Sequence, residues 1–148
     1  MLLSDFIPQI ESLSSDVVPN WGKMTPQHVV EHLLDSVQMS VGKVQYPIVT
    51  PEEKLPLMMR FLMSDRPFAQ NAINPAVGEG LQALRWPDLE AAKASLFDEM
   101  RQYDQFYAEN PSATPTHLVF GILNHQQWNQ FHKKHFTHHL TQFGLLSS

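Results

Sequence analysis

The chain has no cysteine. Neither a disulfide framework nor a thiolate metal site can form, so any bound metal needs His, Asp or Glu. Basic residues are also few. Ten Lys and Arg stand against fifteen Asp and Glu, for a formal net charge of −5. Lys133-Lys134 is too short a run to track a phosphate backbone, so nucleic acid is not an expected partner. No stretch approaches the ~20 apolar residues of a membrane span, which predicts no membrane partner. The opening MLLSDFIPQI lacks a basic segment and a small-residue cleavage site, so it does not read as a secretory signal. These absences predict a cytoplasmic protein. There are no repeats and no pair of strands with alternating polarity. The 148 residues, 43% hydrophobic, suit one domain spanning 1–148.

What is present is helical. A short helix is expected over about Ser4 to Ser14, followed by the loop SSDVVPNWGKM. Thr25 and Pro26 then form a helix start, because a hydroxyl caps an orphan N–H and proline has none to lose. That helix runs toward Gly42. Pro51-Glu52-Glu53 opens a third helix, reaching about Met63. Residues 64–87 form a long irregular connection rich in Pro, Gly and Asn, of the kind that often carries function. Asp88 caps a fourth helix, whose Leu89, Ala92, Leu96, Met100, Tyr103 and Tyr107 share one face. Asn110-Pro111 ends it. A second Pro-containing loop leads to the last helix, about Asn124 to Phe143, with Gly144 as its C-cap. The expected fold is all-α: an antiparallel four-helix bundle with one short extra helix and long Pro-rich loops.

The last helix carries the chemistry. At 100° per residue, Trp128, Phe131, His132, His135, Phe136, His139, Gln142 and Phe143 fall on one arc. His135 and His139 are one turn apart, so their rings can converge. Imidazoles lining an apolar bundle need partners, and a divalent ion satisfies one nitrogen of each at once. His132 and His138 are weaker candidates. On the second helix His32 borders the apolar arc of Val29, Val30, Leu33, Leu34, Val37 and Val41, whereas His28, Glu31 and Asp35 lie toward the polar side. Three neutral imidazoles from two helices would leave coordination positions open. His28-Val-Val-Glu31-His32 also matches an inverted zinc-peptidase signature, in which both histidines ligate and the glutamate is the base. That reading needs a mixed domain and leaves the C-terminal histidines unexplained.

Two segments carry a family resemblance. Trp21-Gly22-Lys23-Met24-Thr25-Pro26 leads through His28 to His32-Leu33, and His135, His139 and Gln142 precede Gly144 at matching spacing; His117-Leu118-Val119-Phe120-Gly121 adds to these. Together they resemble the DinB-like (YfiT-like) superfamily of four-helix-bundle metal proteins, in a poorly characterised bacterial branch. The resemblance implies a metal triad of His32, His135 and His139. Leu140 and Thr141 stand where many relatives have arginine and glycine, so substrate inferences do not carry over. Characterised members include thiol-dependent S-transferases and an isomerase that uses a small thiol.

The expectation is therefore a metal-dependent transferase or hydrolase acting on a small molecule, with a low-molecular-weight thiol or water activated by the ion. The alternative is a non-catalytic metal- or ligand-binding bundle. Zinc or nickel leads, iron follows, and three imidazoles suit copper too. Gln142 and Asp35 are candidates to orient the ligating rings, and His117 for acid/base work at a pocket mouth. Trp128 reads as core and His125 as a capping or surface residue. Asp98, Glu99, Arg101 and Asp104 read as a solvated face. Bundle faces could pair into a homodimer.

Overall fold

The computed structural model describes residues 1–70 and 80–146. It is mostly helical, with a small two-stranded sheet. A 3-10 turn over Leu3–Phe6 runs into α1, Ile7–Glu11. Next come α2, Pro26–Ser40, and a second 3-10 turn over Glu52–Lys54 that leads into α3, Leu55–Met63. Helix α4, Leu89–Glu109, is the longest; β1 (Thr116–His117), β2 (Gly121–Ile122) and α5 (His125–Gln142) complete the chain. Helix α2 lies along α4, and α5 packs against both α2 and α3. The middle of the expected 64–87 connection, 71–79, lies outside the described residues.

The helix ends follow the local chemistry. Thr25 Oγ1 accepts the N–H of His28, Asp88 that of Ala91, and Asn124 that of Gln127. Each cap is worth about 1 kcal/mol. Gly144, with φ +74, takes up the left-handed turn after α5. The expected inward arc of α5 is buried throughout, from Trp128 to Phe143, and so is the expected face of α4. Each fully buried Val, Leu or Phe stabilises the fold by about 1.5–3 kcal/mol. Trp128 is core, as expected, and its Nε1–H donates to Pro115 O (3.0 Å).

The structure departs from the sequence reading in several places, four of which concern the fold. First, the loop before α5 contains the sheet, which an all-α chain would lack. Thr116 pairs with Ile122 and His117 with Gly121. Gly121 closes the turn at φ +86, a conformation only glycine adopts cheaply, and a Cβ there would touch Leu55 at 3.5 Å. Second, the expected first helix is split between a 3-10 turn and five α residues. Third, Asp104 does more than face solvent: its carboxylate accepts the N–H groups of Leu3 (2.7 Å) and Ser4 (3.1 Å) and so starts that first turn. Fourth, His125 stacks on Tyr107 at 4.2 Å with the rings nearly parallel, so it is a packing residue rather than a cap.

Lys93 is a buried charge on α4, 3% exposed. Its ammonium donates to the carbonyls of Glu11 and Leu13 and so closes the C-terminal end of α1. Lys134 does the same for α3, donating to Phe61 O and Ser64 O. Both are structural uses of a cation at a helix C-terminus.

Candidate metal centre

His32 projects from α2, and His135 and His139 from α5. Their Nε2 atoms meet where the two helices touch: His135 Nε2 lies 2.8 Å from His32 Nε2 and 3.2 Å from His139 Nε2. All three ligand atoms fall within 4.8 Å of one another, and among the described residues no other group of histidine and carboxylate side chains gathers in this way. Three nitrogens on one tetrahedral ion, each at about 2.0–2.1 Å, would sit roughly 3.3 Å apart. Shifts of a few tenths of an ångström bring the two short contacts to that spacing.

The proton count supports the fit. Gln142 Nε2 donates to Trp21 O (2.9 Å), so its Oε1 faces His139 Nδ1 as acceptor at 2.7 Å. The proton of neutral His139 is therefore on Nδ1, and Nε2 offers a lone pair to the cluster. Gln142 thus lies beside one of the three rings. It fixes the ring and its tautomer, as partners of metal-bound histidines do. One of the three converging nitrogens is thus without a proton and can offer its lone pair to a cation.

Burial keeps the rings neutral, which is the ligating form. Desolvation, reinforced by the nearby His138, pulls His32 down to about 4. Desolvation pulls His135 and His139 well below the ordinary histidine range, and the neighbouring His32 adds to it. At neutral pH none of the three carries the charge that would repel a metal.

The remaining expected residues divide. Asp35 does not support a ring. It pairs with Arg85 Nη2 at 2.8 Å, and burial raises its carboxyl despite that partner. His28 stands outside the triad, with its Nδ1 turned back on Thr25 at 2.7 Å. Glu31 is buried, not polar-facing, and is fully engaged. Its Oε1 accepts Arg85 N–H (2.8 Å), and its Oε2 accepts Gln27 Nε2 (3.0 Å) and Trp86 N–H (3.4 Å). It is a latch that ties the 85–86 segment to α2. The peptidase pattern therefore has one histidine in the cluster, one in a cap, and its would-be base tied to backbone. His117 is a strand residue 4% exposed, not an exposed loop histidine, and burial pulls it down to about 3.

The triad opens onto a cavity of about 840 Å³. Phe61, Phe68, Phe120, Phe131, Met39 and Met58 make much of its wall, and Trp21 and His138 also line it. The ring of Phe68 lies 6.2 Å from that of His135. Neither Phe68 nor the Glu31 latch was apparent in the sequence. Phe68 sits in an irregular segment with no periodicity to place it, and two partners of Glu31, Arg85 and Trp86, are more than fifty residues away.

A family model, described as "Protein of unknown function (DUF1569)", matches residues 2–144. The chain belongs to that family, which lies in the DinB/YfiT-like superfamily. No curated protein and no solved structure matches the chain. No helix among the described residues is long and apolar enough to cross a membrane.

Proposed function

We propose that this chain is a metal-dependent enzyme for a small molecule, with one divalent transition-metal ion held by His32, His135 and His139. We read α2 to α5 as an antiparallel four-helix bundle that carries the site on two of its helices. The observation that carries the proposal is the meeting of three Nε2 atoms, one with its proton placed elsewhere by Gln142, at the foot of a large apolar cavity. A metal here would act as a Lewis acid, lowering the pKa of a small thiol or water for transfer or hydrolysis. The chain's own contribution is to keep three rings neutral and aimed, to exclude bulk water with Phe68 and Phe131, and to hold an apolar substrate beside them. Zinc and nickel suit the all-nitrogen set best, and iron is also compatible.

A second reading has its own support. Glu31 is tied to backbone, Asp35 is paired with Arg85, and Nδ1 of His117 is taken up by the hairpin. These three side chains beside the triad are not free to move protons, which suits a binding site without catalysis.

Elemental mass spectrometry on protein without a polyhistidine tag tests the site. The expected result is close to one transition metal per chain, lost in His32→Ala, His135→Ala and His139→Ala and kept in His28→Ala. A parent that stays metal-free after incubation with zinc or nickel would sink the proposal. Loss with His28→Ala and His32→Ala alone would restore the peptidase reading. Metal retention with no thiol transfer or hydrolysis across small electrophiles would favour the binding reading.

A further inference from the structure

Among the described residues, the cavity wall holds six buried polar side chains: Glu31, Ser36, His117, His135, His139 and Gln142. Two of them belong to the triad. Glu31 is spent on Arg85 and Trp86, Ser36 donates to Leu33 O (2.7 Å), and Gln142 bridges His139 and Trp21. His117 remains. Its ring is held edge-on against Phe131, with centroids 4.4 Å apart, and beside Trp128 at 5.4 Å. Phe131 in turn stacks on His135 at 5.0 Å. His117 therefore stands one aromatic ring away from the triad along the same wall.

The hairpin decides what this ring can do. Val119 N–H and Phe120 N–H both point at His117 Nδ1, at 3.0 and 3.3 Å. A nitrogen that accepts two backbone donors carries no proton, so neutral His117 has its proton on Nε2. The turn that aims these donors depends on Gly121, whose left-handed conformation closes it. With Nδ1 facing the hairpin, Nε2 is the nitrogen left for the cavity, and no hydrogen bond from it to a described residue is formed.

We propose that His117 binds the substrate directly: its Nε2–H, fixed as a donor, takes an acceptor oxygen (carbonyl, carboxylate or ether) of an otherwise apolar molecule that extends along Phe131 from the triad. The inference rests on the metal reading above, and it assigns the substrate class of that site. His117 then selects ligands and does not shuttle protons. Burial supports this role, since it keeps the ring neutral through the physiological range. A buried donor left without an acceptor is costly, so such a site rejects ligands of the same shape that lack the oxygen.

Cobalt-loaded protein and two aryl thiols of matched size make the test. One thiol, 4-mercaptoacetophenone, carries a carbonyl; the other, 4-ethylthiophenol, does not. Binding is read from the visible cobalt spectrum. The carbonyl probe is expected to bind roughly five- to ten-fold more tightly. His117→Phe should erase that ratio and leave the ethyl probe unchanged, while His117→Gln, which keeps an N–H near the position of Nε2, should restore part of it. In metal-free protein, long-range proton–nitrogen NMR should place the His117 proton on Nε2 at neutral pH. Equal affinities for the two probes, equal weakening of both by His117→Phe, no binding of either probe to cobalt-loaded protein, or a proton on Nδ1 would each overturn this proposal and leave the metal reading standing. A chain that takes up no cobalt would overturn the metal reading, and this proposal with it.

Discussion

Acid should unfold the metal-free protein at an unusually mild pH. Five imidazoles are held neutral by burial: His32 at about 4, His117 and His132 at about 3, and His135 and His139 well below the ordinary range. In the unfolded chain each would titrate near about 6.5. The folded state thus binds fewer protons than the unfolded state below that pH. Stability is fully present above about pH 6.5 and is lost as the pH falls toward the folded values. At about pH 6 an unfolded histidine is roughly three-quarters protonated and a buried one almost not at all. Each ring then contributes a slope of about 1 kcal/mol per pH unit, and the five together about 5. Integrated down to about pH 5.5, the loss reaches roughly 7 kcal/mol. A domain of this size holds about 5–15 kcal/mol in total, so unfolding should fall between about pH 6 and pH 5.

Urea unfolding followed by tryptophan fluorescence, repeated at closely spaced pH values on chelator-treated protein, measures that slope directly. His132→Phe provides an internal control, because removing one of five rings should lower the slope by about a fifth. A slope under about 2 kcal/mol per pH unit near pH 6, or a folded metal-free protein at about pH 4, would refute the reasoning. Either result would mean that water reaches these rings and that they titrate almost normally in the folded state.

Three further outcomes follow from the same geometry. His132 is fully buried among Tyr103, Trp128 and Phe136, and neither ring nitrogen has a partner among the described residues, so His132→Phe should stabilise the protein by about 1 kcal/mol at neutral pH without changing metal content, as checked by thermal unfolding and elemental analysis. Gln142→Leu removes the acceptor that sets the tautomer of His139, and should weaken zinc binding about 10- to 100-fold in a competition titration; unchanged affinity would show that the ring needs no such partner. Glu31→Ala should cost about 3 kcal/mol in urea unfolding by releasing Arg85 and Trp86, yet should keep the metal, whereas loss of activity with unchanged stability would mark Glu31 as a base after all.

The helical faces were legible in the sequence because burial there follows a simple period. Every residue placed on the inward arc of α5 is buried, and so are the six placed on the face of α4. His135, His139 and Gln142 could be placed on one face for the same reason, since spacing on a helix fixes which rings can meet; their meeting with His32 came from the family resemblance. The sheet was not legible: two residues per strand leave no alternation to read, and the turn depends on the φ of Gly121. His117 was noticed as a loop histidine, but its role is set by two backbone N–H groups that only the folded hairpin aims at it.

The pattern His28-x-x-Glu31-His32 shows where spacing misleads. One turn of helix does place all three side chains in reach of each other, and the sequence alone cannot say what else competes for them. Thr25 competes for His28 as part of the helix cap, and the 85–86 segment competes for Glu31 across more than fifty residues. Only His32 is left to face α5, where two more imidazoles wait. A motif defines which groups could act together; the hydrogen bonds each group has already made decide which of them still can. The same test, applied along the cavity wall, removes Glu31, Ser36 and Gln142 and leaves His117, whose Nε2–H would hold a ligand and not shuttle a proton.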